Sequence, residues 1–302
     1  MIDVQRLRVL RAVAEHGSFN RAAAALRLTP SAVSQQVAAL ERGLGTQVVS
    51  RSTRGVTLTP AGRIMVGAAE SVAAELAHAQ RQVGELATGR TQLTVATFTS
   101  GGRLLLPGAL TELTAAHPGT VVHIREYEPE DSLPLVRQGA VDLALAYHFD
   151  GPLPGGPGPE WTPLMDDPLH VVLGRHHRLA ARDSLDIAEL AGEPWVLGCL
   201  KTEAYLRRYA GRAGFAPDIR ATTTDYFFAR SLVAAGMGVS LIPSVALTPD
   251  IPGLRTVPVG PPAPARHIGA ATLGHPRARV QVTALIRALR KQAAAWRERP
   301  AG

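Results

Sequence analysis

Ser31, Ser34 and Gln35 follow Thr29-Pro30 within little more than a helical turn, and further on Arg51 precedes, and Arg54 lies within, a Ser-Thr-Arg-Gly turn. Short hydroxyl and amide side chains on the early turns of a helix can reach base edges and phosphates in a DNA groove, and arginines on a hairpin tip suit phosphate or minor-groove contact. Any soluble helix and loop would show the same polar faces, so these residues alone leave both readings open. A second set stands where strands end and helices begin: Thr99-Ser100-Gly101-Gly102, Tyr147-His148-Phe149, Gly198 to Thr202 with Lys201, and Thr224-Asp225. Free N–H groups and hydroxyls there could hold a carboxylate or another acceptor, though Ser and Thr before helices are often only caps. Cys199, within the third stretch, reads as a pocket-wall residue; as the single cysteine it has no partner in the chain for a disulfide, and only a mixed disulfide would make it a switch.

The elements that must position the first set are well punctuated. Ser18 caps a short helix whose Ala22 to Ala25 leave little bulk, and Leu26 and Leu28 close the turn. Thr29 caps the next helix, and Pro30 at its first position gives up an N–H that lacks a partner anyway. Val33, Val37 and Leu40 recur at helical spacing toward a core. Residues 46–58 alternate as a hairpin, and Val4, Leu7, Leu10 and Ala14 share a face of a first helix that Gly17 ends. Thr59-Pro60 repeats the Thr-Pro start, and a long helix follows to about Thr88, stopped by Gly89. Its Met65, Ala69, Val72, Leu76, Ala79, Val83 and Leu86 form a heptad seam that calls for a partner helix, in a dimer rather than on its own chain.

Charge supports a polyanionic partner. Residues 1–64 hold nine Arg against Asp3, Glu15 and Glu41, so this end carries a net +6 of the chain's +7. Compositional bias accounts for Arg over Lys but not for the clustering. The 302 residues are 46% hydrophobic, enough for a small N-terminal domain and a larger one. The start of the chain lacks a secretory apolar core, and the apolar run 231–247 is broken by Gly236, Gly238, Ser240 and Pro243; a cytoplasmic protein with no membrane span is expected.

Beyond residue 90, strand and helix patterns alternate through QLTVATF, LLLPGALTELTAAHPG, TVVHIREYE, LPLVRQGAV and DLALAYHF, which predicts parallel, doubly wound α/β sheets. DGPLPGGPGPEWTP, residues 150–163, reads as a surface loop before a second run of alternating elements; ARHIGAATLG then returns to the first subdomain, and a last helix spans about Arg277 to Arg299. His170, His176 and His177 lack metal-site spacing, and neither GxSxG, a Walker loop nor a full dinucleotide loop occurs. No metal, no cofactor and no enzyme activity are expected.

The run AAAALRLTPSAVSQQVAALERGLGTQVVSR followed by LTPAG resembles the winged helix-turn-helix of LysR-type transcriptional regulators, with one departure at Val48-Val49 where the family usually has Leu-Phe. HPG, QGAVDLALAY, LHVVLGRHHRLA, GFAPDI and VAAGMGVSLIP resemble the family's periplasmic-binding-protein-like effector domain. The resemblance implies a bacterial, cytoplasmic regulator with a winged helix-turn-helix over 1–58, a linker and dimerisation helix over 59–89, and an effector-binding domain over 90–302. Subdomain I would take about 90–162 and 266–302, subdomain II about 163–265. It implies DNA contact through Thr29, Pro30, Ser31, Ser34, Gln35, Arg51 and Arg54 on a partly palindromic operator. Ser100, Gly101 and Thr202, with Thr99, Tyr147, Cys199, Lys201 and Thr224, would meet a small-molecule effector. A homodimer or homotetramer is implied, with RNA polymerase as a further partner. The competing reading is a small-molecule carrier whose N-terminal domain serves only for oligomerisation.

Overall fold

The computed structural model describes residues 3–52, 55–149, 159–273 and 279–298. The N-terminal part is α1 (Val4–His16), α2 (Phe19–Leu26), α3 (Pro30–Leu44) and a hairpin of β1 (Val49–Ser52) and β2 (Gly55–Leu58). Gly17, at φ 58, ends α1, and Arg27, at φ 55, ends α2; both take the left-handed conformation that closes a tight turn. Val9, Leu10, Val13, Ala22, Val33, Val37 and Leu40 form the core with Val48 and Val49, so the smaller apolar pair at 48–49 sits in wing packing. The buried face of α1 differs from expectation. Leu7, Val9, Leu10, Ala12 and Val13 are buried, whereas Val4 is exposed and Ala14 only half-buried, because α2, α3 and the following long helix cover α1 from several sides.

That long helix, α4 (Pro60–Thr88), starts with the Thr59 hydroxyl accepting from Gly62 N and ends at left-handed Gly89. Its seam is divided. Met65 is half-buried against the N-terminal core and Ala69 is buried within the chain, so these two face their own molecule. Leu76, Val83 and Leu86 are 50%, 66% and 86% exposed, apolar surface that a folded monomer leaves in water.

The remainder is two α/β lobes that share a sheet. In the first, β3 (Thr91–Thr97), α5 (Thr99–Ala116), β4 (Thr120–Glu126), α6 (Pro129–Arg137) and β5 (Leu143–His148) alternate, and β3 pairs with β4 and β5 in parallel. A 15-residue strand, β6 (Glu160–Gly174), then leaves this lobe. The second lobe holds β7 (Pro194–Leu197), α7 (Glu203–Arg212), β8 (Asp218–Thr222), α8 (Tyr226–Ala234), β9 (Ser240–Pro243) and β10 (Leu254–Pro258). β11 (Ala265–Thr272) returns to the first lobe, and α9 (Val280–Arg297) packs on α5. The large sheet runs β10-β6-β11-β5-β3-β4, with β9 also on β6, and β7 pairs with β8 in parallel.

Three departures follow from long-range pairing. The doubly wound expectation holds for β3, β4, β5, β7 and β8, but β6, β9, β10 and β11 pair antiparallel, because two strands cross between the lobes in opposite directions. Residues 150–158 lie outside the described part of the expected loop, whereas Trp161, Thr162 and Pro163 are strand, held by β11; proline is tolerated there beside the irregularity at Ile268/Gly269. The strand β10 had no clear sequence signal. Among the described residues no helix is long and apolar enough to cross a membrane.

Candidate DNA-binding and effector sites

At the N-terminal end α3 is presented as a free helix start. Thr29 Oγ1 accepts from Ala32 N at 3.2 Å and lies 3.0 Å from Ser31 Oγ; Thr29, Pro30, Ser31 and Gln35 are exposed, and Ser34 is half-buried. Arg51, on β1, donates from Nη2 to Ser34 Oγ at 3.2 Å, and its guanidinium lies 4.3 Å from the Phe19 ring centre. Arg51 therefore joins the wing to α2 and α3, a tie that sequence spacing had not revealed. Arg54 lies outside the described residues. The wing root is held twice more: Glu41 Oε1 accepts from Val48 N at 2.9 Å, and Thr59 N donates to Val48 O at 3.1 Å. Helix start, serines and wing thus form one exposed surface on the net-cationic end of the chain.

Between the lobes a cavity of about 20 Å³ is lined by Thr99, Ser100, Tyr147, Cys199 and Thr224, together with Phe98, Glu128, Asp225, Tyr226 and Arg266. Five expected residues from four separate stretches therefore converge. Gly101 belongs to the packing beneath them, since a Cβ there would meet Phe98 Cζ at 2.2 Å. Thr202 is buried and donates to Cys199 O at 2.7 Å, fixing the turn that carries the cysteine rather than lining the cavity. The Lys201 side chain lies outside what the structure describes.

The residue at the centre is Arg266, which the sequence had not indicated. It is 1% exposed, donates from Nε to Asp167 Oδ2 at 2.7 Å and from Nη2 to Ser100 Oγ at 2.8 Å, and sits 4.7 Å from the Tyr147 ring centre and 5.0 Å from that of Phe98. Asp167 Oδ1 also accepts from Val245 N at 3.1 Å, so this pair at the crossover strands is tied to both lobes. Burial works against the Arg266 charge, but the Asp167 carboxylate together with the Tyr226 and Tyr147 hydroxyls more than offsets it, and the pKa is raised. Tyr147 donates to Glu128 Oε2 at 2.8 Å, and burial, reinforced by Glu128, pushes the phenol far up. The Tyr226 hydroxyl is buried with no hydrogen-bond partner among the described residues, and burial pushes its pKa up as well. A buried, unpaired hydroxyl at a cavity wall costs free energy until something bonds it. The sequence trace of this centre was an aspartate and an arginine within two strand runs, 99 residues apart.

A basic winged helix-turn-helix joined by one helix to two α/β lobes, with a small cavity between them that Arg266, Ser100 and Glu128 reach, defines a ligand-responsive DNA-binding protein. Residues 4–63 match the bacterial regulatory helix-turn-helix proteins of the lysR family, and residues 87–294 match the LysR substrate binding domain. The chain belongs to the LysR family of transcriptional regulators. It is 29% identical over 280 residues to the DNA-binding transcriptional dual regulator OxyR of Escherichia coli K12, covering 89% of this chain and 88% of that one. It is 32% identical over 280 residues to a probable hydrogen peroxide-inducible genes activator of Streptomyces viridosporus, covering 89% and 87%. The structure of a Corynebacterium glutamicum OxyR C206 mutant superposes with a TM-score of 0.60 at 26% identity, covering 97% of this chain and 93% of that one. The protein is thus a DNA-binding regulator with an effector-binding domain, which displaces the carrier reading.

Proposed function

We propose that α3 and the wing read an operator through Thr29, Pro30, Ser31, Ser34 and Gln35, with Arg51 and Arg54 on the wing. The exposed part of the α4 seam would pair two subunits in a bacterial cytoplasm, placing two recognition helices on half-sites of one operator, with a dimer of dimers and RNA polymerase as further assembly steps. Domain limits of 1–58, 59–89 and 90–302 fit the elements, with the lobes exchanging near 163 and 265. The effector binds between the lobes, and the observation that carries this is the unpaired Tyr226 hydroxyl beside Arg266 and Ser100 in the cavity they share. The cavity holds about one or two waters as it stands, so either the lobes part or the effector is very small.

Cys199 on the cavity wall favours a second reading of the same site, in which the effector is a peroxide, in line with the name of the Streptomyces viridosporus relative, a probable hydrogen peroxide-inducible genes activator. The Cys199 sulfur, as thiolate, would attack one peroxide oxygen; the O–O bond breaks, and sulfenic acid and hydroxide result. With a single cysteine the product cannot close to a disulfide within the chain.

The test is fluorescence anisotropy of the protein on DNA from upstream of its own gene and on unrelated DNA, over a salt series. Preference for the upstream DNA with a steep fall as salt rises is expected; equal, weak binding to both would sink the operator assignment. Peroxide treatment that alters wild-type binding and leaves Cys199→Ser unchanged would select the second reading, and an equal response in both would reject it.

A further inference from the structure

Two elements have one end at the effector cavity and the other on the linker helix. α6 has Glu128, which lines the cavity, as its N-cap, and runs about 12 Å from Pro129 to Arg137. Arg137 Nε lies 3.7 Å from Glu70 Oε2 of α4. β5 carries Tyr147 in the cavity and runs back roughly 16 Å to Asp142, just ahead of its first residue. The cavity ends are joined by the Tyr147–Glu128 hydrogen bond of 2.8 Å. The far ends are joined by one side chain of α4: Arg81 donates from Nη1 to Gly139 O, in the turn after α6, and from Nη2 to Asp142 Oδ1 at 3.2 Å.

This junction is built rather than incidental. Asp142 is nearly buried, and its second oxygen accepts from Thr94 N at 2.8 Å, so the carboxylate is fixed before Arg81 reaches it. Gly139, at φ +67, lies so close to α4 that a Cβ would stand 2.8 Å from Ala74 Cα. Arg279 of the α9 N-cap adds contacts to Glu85 of α4 and, at 3.7 Å, to Asp142. Partly buried charge-assisted bonds of this kind are directional and contribute more than exposed pairs. At its other end α4 is packed into the DNA-binding core through Met65 and Val66. A displacement of the α6–β5 unit is therefore passed to the helix that carries the DNA-binding half.

We propose that the α6–β5 unit couples the effector cavity to α4, with Tyr147 and Glu128 as its cavity-side contact and Arg81 as the positioning residue that grips its far end. This rests on the cavity between the lobes being the effector site. Two states of one packed element, biased from both ends, would supply the coupling free energy that regulation requires.

The experiment is hydrogen exchange followed by mass spectrometry on the full chain, needing neither effector nor operator. Wild type, Tyr147→Phe, Arg81→Gln and the double variant are compared, with β7 and β8 as internal reference. Tyr147→Phe removes only the bond to Glu128, and exchange over residues 80–89 is expected to rise about threefold or more, although the hydroxyl lies several residues away along β5. In the Arg81→Gln background the same change should add nothing, and Arg81→Lys should restore part of the response. If Tyr147→Phe leaves 80–89 unchanged, or acts equally in both backgrounds, the coupling is refuted. Asp142→Asn repeats the cycle should Arg81→Gln loosen the reference strands too. The two readings fail separately: wild-type exchange at the cavity residues that is unchanged by added hydrogen peroxide counts against peroxide as the effector of this site, whereas the response of 80–89 to Tyr147→Phe needs no effector and decides the coupling alone.

Discussion

Arg266 holds together what two distant parts of the chain bring to the cavity. Its partner Asp167 is 0% exposed, so Arg266→Ala would leave a carboxylate buried without its counter-charge. The expected cost is about 3–5 kcal/mol, read by urea unfolding, with Arg266→Lys intermediate because the second bond, to Ser100, needs the guanidinium fork. An Ala variant as stable as wild type would show that water replaces the pair. His170 makes a separate, pH-dependent contribution. Burial lowers its pKa, opposed by the Pro168 backbone and by the Asp167 charge, and its Nδ1 lies 3.2 Å from Ser244 Oγ. The unfolded chain takes up a proton as pH falls through about 6.5 while the folded protein resists it. Stability is thus complete above that pH and declines below it until the lower folded pKa is passed. Thermal unfolding of His170→Gln against wild type should show a flatter decline on the acid side of about pH 6.5; parallel curves would assign the slope to other groups.

The start of α4 shows how closely an element can be specified by one missing atom. A methyl on Gly62 would stand 1.9 Å from the Val48 carbonyl oxygen, which itself accepts from Thr59 N at the wing root. Gly62→Ala is expected to push helix and wing apart, lowering the unfolding temperature of the N-terminal half and weakening DNA binding at least tenfold, while the lobes unfold as before in calorimetry. Unchanged DNA affinity would mean that the wing root relaxes without moving the wing. Elements of this kind were legible because their causes are local: Thr29-Pro30 and Thr59-Pro60 start helices, Gly17 and Gly89 end them, and Val33, Val37 and Leu40 mark a face. β6 was not legible as a 15-residue strand. Its Pro-rich start looked like loop, and only pairing with β11, about a hundred residues later, makes it extended. For the same reason Thr99, Ser100, Tyr147, Cys199 and Thr224 could be placed at element ends, whereas Arg266, Tyr226 and Glu128 became site residues only once the lobes faced each other.

At the scale of the whole molecule, the exposed seam on α4 is the surface proposed to hold two chains together. With Val83 and Leu86 exposed, Val83→Asp with Leu86→Asp is expected to shift sedimentation velocity from dimer to monomer at micromolar concentration and to weaken operator binding, since two half-sites would no longer be held by one particle. A variant that sediments like wild type would place the interface elsewhere. α4 itself runs unbroken from Pro60 to Thr88, with left-handed Gly89 at its end. An unbroken helix is a screw as well as a strut: each added residue turns everything beyond it by about 100° and advances it about 1.5 Å. One inserted residue in its exposed middle would therefore swing α3, the proposed reading helix, to a different side of a bound duplex. Seven would bring it back to within about 20°, displaced by roughly two turns. On the proposed dimer, the length of this helix is thus a phase setting, and it can change only in whole cycles if two paired chains are to keep their α3 helices on the same side of the DNA.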